Sequence, residues 1–135
     1  MIWAGIFLAH LVGDYIFQGH YMATYKTERS VRGWTAASLH GIFYTVPFLF
    51  LTQNPWALLI IAGTHILIDH YRLAIPLSWL KNQLAPPDER LPWSDRNWNN
   101  GYPPSTPVWM STWLMIITDN TLHLLIAFFA IAVFR

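Results

Sequence analysis

The sequence predicts an all-α fold: an integral membrane four-helix bundle with a Pro/Trp-rich interfacial loop between helices 3 and 4, as one domain over residues 1–135. Three observations carry that prediction. Charge is sparse: 11% of the 135 residues are Asp, Glu, Lys or Arg and 54% are hydrophobic, whereas soluble domains carry about a quarter charged residues. Four apolar stretches of 17 residues or more follow one another, apolar nearly all round, as spanning helices are and soluble amphipathic ones are not. At about 20 residues per crossing, four crossings and their loops use nearly the whole length. Composition also excludes partners and cofactors. A net charge of +1 with no basic stripe gives no case for nucleic acid. The absence of Cys removes disulfides, thiolate metal sites and iron–sulfur clusters.

The first segment runs from about Ile2 to Tyr21. It lacks the basic n-region and small-residue cleavage site of a signal peptide and holds His10 and Asp14 in its middle, so it is expected to be retained. The second runs from about Thr35 to Leu51, with Pro47 inside it as a kink, because the ring removes one backbone hydrogen bond. Gln53-Asn54-Pro55 makes a tight connection into the third, about Trp56 to Leu73. Ser105-Thr106-Pro107 reads as a cap with Pro in the first turn, opening the fourth, about Val108 to Phe134. Between Ala74 and Pro107 the composition shifts: six of the nine Pro and three of the eight Trp (Trp79, Trp93, Trp98) lie there. That stretch is too polar to span. It reads either as a lid or binding surface or as a plain interfacial loop anchored by its aromatic residues.

Orientation follows from the basic residues. Lys26, Arg29 and Arg32 lie between segments one and two, and Arg72, Lys81, Arg90 and Arg96 lie at or after the end of segment three. Four crossings put both loops on one side, with seven of the eight Lys and Arg. The positive-inside rule makes that side cytoplasmic. The expected location is the bacterial inner membrane with both termini periplasmic.

Ionisable residues within spanning segments are rare and are functional candidates by default. Here they are His10, Asp14, His40, His65, Asp69, Asp119 and His123. Six form three pairs at one separation: His10 with Asp14, His65 with Asp69, and Asp119 with His123. Residues four apart share a helix face, so each pair presents two ligands in one direction. Counted from the cytoplasmic ends, Asp14, His40, His65, Asp69 and Asp119 fall within roughly ten residues, about 15 Å of helix; His10 and His123 lie one turn deeper. Imidazole with carboxylate suits Zn, Fe or Mn. Seven candidates exceed the ligands of one zinc, so either some orient the others or two metals bind. A metal-free His–Asp hydrogen-bond network or a proton relay uses the same residues, while a bis-His haem has no use for three acids. His20 and His70, at segment ends, read as interfacial side chains. Gln18 reads as holding Asp14, a bound water or substrate, and Arg72 as binding an anionic substrate group or anchoring the helix end. Gly5, Gly13, Gly41 and Gly63 allow close helix packing; self-association into a homo-oligomer stays open.

The string His10-x3-Asp14-x3-Gln18, lone His40, His65-x3-Asp69-x2-Arg72 and Asp119-Asn120-x2-His123 resembles the small bacterial and phage membrane proteins grouped as domain of unknown function 3307. In that pattern Lys is usual where Arg72 stands and Gln where Asn120 stands; Arg for Lys matters if the position touches substrate. The constellation is also similar, in site chemistry alone, to membrane-bound metal-dependent hydrolases. The expected function is hydrolysis of a lipid or lipid-linked substrate in the membrane. It would use one or two divalent metals, zinc first and Fe or Mn as alternatives, held by His10, Asp14, His65, Asp69 and His123. His40 and Asp119 are expected as ligand or general base, and Arg72 and Gln18 as substrate contacts. Two other classes use the same residues: a His-rich di-iron oxidoreductase, whose dense His boxes are absent, and a non-enzymatic membrane subunit or phage accessory protein stapled by the site.

Overall fold

A computed structural model describes residues 2–134, all of whose regular structure is helical, with no strand among the described residues. Helix α1 (Ile2–Leu11) runs on as a π-helical turn, Val12–Ile16, and is followed by α2 (His20–Tyr25). Helix α3 (Val31–Thr45) continues as a 3-10 turn, Val46–Phe50, and leads to α4 (Pro55–Tyr71) and α5 (Ala74–Asn82). Two 3-10 turns, Pro87–Glu89 and Trp93–Asp95, precede α6 (Val108–Val133). Of these, α6 is long and apolar enough by itself to cross a membrane; α4 and α5 pass that test only when counted together, and Ile2–Ile16 is apolar but shorter. The all-helical character therefore agrees with the sequence, while among the described residues one helix, or two if α4 and α5 count as one, is long and apolar enough to span.

The chain forms two compact units. One comprises the chain up to Arg72 together with the segment from His123 onward, and the other Leu73–Leu122. In the first unit each helix end has a local cause. Phe17 N–H donates to Val12 O at 3.0 Å, the wider π-type bond, and the first helix ends at Ile16 instead of reaching Tyr21. Helix α3 starts earlier than hydropathy indicates because the Ser30 hydroxyl caps it, accepting from Gly33 N at 3.1 Å. Pro47 turns its last residues into 3-10 helix. Asn54 Oδ1 caps α4, accepting from Trp56 N at 2.9 Å with Pro55 in the first helical position. That helix ends at Arg72, which takes the left-handed conformation (φ 54°) and donates its N–H to Asp69 O at 3.2 Å. The core of this unit gathers Ile6, Tyr44, Phe48, Ile61, Ala127 and Ile131 from α1, α3 with its 3-10 extension, α4 and the last turns of α6.

The second unit contains the stretch expected as an interfacial loop. Its first nine residues are instead helix α5, with Pro76 tolerated in the first turn, where a missing N–H costs no bond. The remainder is fastened at several points. Trp79 Nε1–H donates to Leu91 O at 2.9 Å, and Asn100 Nδ2 donates to Ser111 Oγ at 2.9 Å. The Arg96 guanidinium lies 3.1 Å from the Trp93 ring centroid and 3.6 Å from that of Trp98. Gly101 takes φ +80°, and a Cβ there would lie 2.3 Å from Ile75 O. Pro107 sits one residue before α6 and supplies the carbonyl that accepts from Ser111 N at 3.0 Å.

Candidate metal centre

Three elements of the first unit bring four polar side chains to one buried point. Asp14 comes from the π-helical turn, His40 from α3, and His65 and Asp69 from α4. A π turn changes the facing of the residues it carries and is frequent at functional sites. Here it is held from both sides. Gly13 packs so closely on α3 that a Cβ would lie 2.6 Å from Tyr44 Cδ2 and 2.9 Å from Tyr44 O. Gln18 Nε2 donates to the Asp14 carbonyl at 3.1 Å, so Gln18 supports the backbone of Asp14 rather than its carboxylate.

The polar atoms converge within hydrogen-bond or ligand range. His40 Nε2 and His65 Nε2 are 2.9 Å apart. Asp14 Oδ1 lies 3.3 Å from the former and 3.4 Å from the latter, and Asp69 Oδ2 lies 3.1 Å and 3.3 Å from them. Both rings are at most 1% exposed. Their Nδ1 atoms make no hydrogen bond among the described residues, so the whole polar engagement of each ring is on its Nε2 side. In a metal-free network of neutral rings, one Nε2 must donate to the other. The accepting ring then carries its proton on a buried, unpartnered Nδ1, a cost of about 1–3 kcal/mol. Metal-bound rings would also lack the Nδ1 acceptor that ligating imidazoles ordinarily have.

Around these four atoms lies a second set of groups. His10 Nδ1 is 3.0 Å from Tyr44 Oη and 3.4 Å from Asp14 Oδ2, linking α1, α3 and the π turn. The Tyr44 ring stacks on His65 with centroids 3.6 Å apart. His123, from α6, places Nε2 4.0 Å from Asp69 Oδ1, and its ring is 4.3 Å from that of His65. Lys26, in the connection after α2, donates from Nζ to Asp69 Oδ2 at 2.7 Å. Its backbone carbonyl accepts from His70 Nδ1–H at 2.8 Å.

These groups can hold a metal ion. Two overlapping ligand sets satisfy the geometry, Asp14–His40–His65 and His65–Asp69–His123, each with its ligand atoms within 4.8 Å of one another. Two carboxylates facing one ammonium leave the cluster short of positive charge while the imidazoles are neutral, and a divalent cation meets that deficit.

Of the residues singled out from sequence, His10, Asp14, His40, His65, Asp69 and His123 meet here. Asp119 belongs to the second unit, half-buried on α6 one turn before His123. Arg72 is half-buried at the left-handed end of α4. His20 is exposed, near Thr24. His70 is 3% exposed, not the watery side chain expected of a segment end. Sequence reasoning missed Lys26 and Tyr44. Tyr44 follows His40 by four residues, the same spacing as the His–Asp pairs, and that was its available signal. Lys26 counted only toward sidedness, and nothing local marks it as a partner of a carboxylate 43 residues away.

The family described as protein of unknown function (DUF3307) matches residues 2–100. The match contains Asp14, Lys26, His40, His65 and Asp69 and ends before the Asp119–His123 pair. No curated protein and no solved structure matches the chain.

Proposed function

The chain belongs to the DUF3307 family, and from that premise we propose that it is an integral membrane protein that holds one divalent metal, zinc by its donor set, and hydrolyses a lipid or lipid-linked substrate. One observation carries the metal. Tetrahedral zinc with bonds of 2.0–2.1 Å sets its ligand atoms about 3.3 Å apart. Five of the six distances among His40 Nε2, His65 Nε2, Asp14 Oδ1 and Asp69 Oδ2 are 2.9, 3.1, 3.3, 3.3 and 3.4 Å. Both ligand sets draw on His65, which favours a single ion. Membrane insertion is supported by the many large apolar side chains on the outside, Phe50 90%, Ile16 72% and Phe129 60% exposed among them, around a centre where His10, His40 and His65 are at most 1% exposed.

A hydrolytic site divides the labour among these four groups. Catalytic zinc keeps three protein ligands and one open position. Asp14, His40 and His65 supply the three. Asp69, already engaged by Lys26 at 2.7 Å, would yield the fourth position to water and act as the base that receives its proton, its Oδ2 held by the ammonium. Bound zinc there would supply Lewis acidity, lowering the pKa of a water and polarising a carbonyl or phosphoryl oxygen. His10, itself engaged by the Tyr44 hydroxyl, lies beside the Asp14 carboxylate, and His123 faces the second oxygen of Asp69.

A second reading has Asp69 as the fourth ligand, closing the site into a structural staple; the near-equal distances favour it. Elemental analysis of protein purified in detergent without chelators decides between them. About one zinc per chain is expected in the wild type, with loss in Asp14→Asn and His65→Ala and none in His20→Ala. Metal below about a tenth per chain overturns the proposal, given the affinities of such sites. Asp69→Asn separates the two metal readings: retained zinc fits the base, lost zinc the staple.

A further inference from the structure

A cavity of about 350 Å³ in the first unit is lined by Arg29, Ser30, Trp34, His70 and Tyr71, none of them a metal-centre residue. Its charge is uncompensated. Glu28, the neighbouring carboxylate, is taken by Arg32 with contacts of 2.8 to 3.1 Å. Among the described residues no carboxylate pairs with Arg29, whose guanidinium lies 5.4 Å from the Tyr71 ring centroid. His70 is 3% exposed, and its Nδ1–H is spent on the Lys26 carbonyl. That bond fixes the ring and leaves Nε2 with no hydrogen bond among the described residues. The Trp34 ring packs 4.0 Å from that of His70 and 5.9 Å from that of Tyr71, giving the cavity aromatic walls. The Ser30 hydroxyl is occupied as the cap of α3, so recognition falls to Arg29 and the His70 ring.

An open guanidinium fork matches the oxygens of a phosphate, and Trp with Tyr at a basic edge suits the headgroup level of a bilayer. The basic residues Lys26, Arg29 and Arg32 share this edge with the cavity, and the leaflet they are expected to face is the anionic one. We propose that this cavity binds the phosphate of a glycerophospholipid headgroup. The proposal rests on the membrane reading above and not on the metal.

The test is native mass spectrometry of the full chain in detergent, offered phosphatidylglycerol or a neutral galactolipid with the same acyl chains. The wild type should retain the phospholipid several-fold over the galactolipid, and Arg29→Ala should lower that preference by about tenfold, the worth of one charge-assisted contact. Arg90→Ala, which removes the same charge outside the cavity, should leave it unchanged. Equal retention of the two lipids by the wild type, or an undiminished preference in Arg29→Ala, overturns the site. Displacement of the lipid by excess inorganic phosphate overturns the lipid as the source and assigns the cavity to free phosphate. Zinc is measured on the same samples. Lipid preference without metal overturns the metal centre alone, and metal without lipid preference overturns this site alone.

Discussion

At the scale of single residues, the reach of Asp14 is set by its neighbours. The carboxylate meets His40 and His65 because the backbone bulges at Val12–Ile16 and lies directly against Tyr44. Gly13 permits that approach: a methyl group there would meet both the Tyr44 ring, at 2.6 Å, and its carbonyl, at 2.9 Å. The ring cannot yield freely, since it stacks on His65 and its hydroxyl engages His10. Gly13→Ala should therefore destabilise by about 1–3 kcal/mol, the usual cost of overpacking, and should lower metal content by moving Asp14. Gly63→Ala is the control, because nothing lies within 4 Å of its added Cβ. Thermal unfolding in detergent and zinc analysis of the two variants check this. Equal behaviour would mean that the π turn relaxes without disturbing the cluster.

At the scale of elements, much of the arrangement was legible in the sequence. The four apolar stretches correspond to α1, α3, α4 and α6, and the His–Asp spacing of four marked the faces of α1 and α4 that meet. Pro47, read as a kink within the second stretch, lies in the 3-10 turn that follows α3, and Gln53-Asn54-Pro55, read as a tight connection, leads into α4. What was not legible depends on tertiary bonds. The π turn is made by one hydrogen bond from Phe17 and leaves no periodicity, so the first stretch read as an unbroken helix to Tyr21. The burial of His70 follows from the Lys26 carbonyl and Trp34, neither adjacent to it in sequence. Helix α5 was hidden by its Pro and by the polar residues around it. In that second unit Gly101 has a positive φ and the Ile75 carbonyl against it. Gly101→Ala is expected to cost about 1–3 kcal/mol through backbone strain and, because Leu73–Leu122 contributes none of the four clustered ligand atoms, to leave zinc content unchanged. Differential proteolysis of that segment alongside zinc analysis checks both halves. Zinc loss would show that the centre depends on the second unit.

At the scale of the whole molecule, the proposal turns on sidedness. A helix of 26 residues such as α6 is about 39 Å long, more than the roughly 30 Å of bilayer hydrocarbon. Helix α3 reaches that span only with its 3-10 extension counted, and α1 with its π turn, Ile2–Ile16, stays short of it at about 22 Å. Charge then has to orient the chain. Seven of the eight Lys and Arg lie in two connections, and the basic bias of short loops sets orientation in the inner membrane. With no native Cys, single cysteines report without background. Thr27→Cys and Asp95→Cys should react with a membrane-impermeant maleimide only after the cytoplasmic face is opened, and Gln53→Cys should react in intact cells. Residues 27 and 95 labelling from opposite sides would remove one of the two crossings represented by α3 and α4, and with it the common cytoplasmic level of Asp14, His40 and Asp69. Labelling of residue 53 from the same side as the other two would mean that the connection between α3 and α4 never leaves the cytoplasmic face. The His/Asp cluster would then sit at the membrane surface, in reach of water, and the case for a bilayer-embedded hydrolase would fail even if the metal were present.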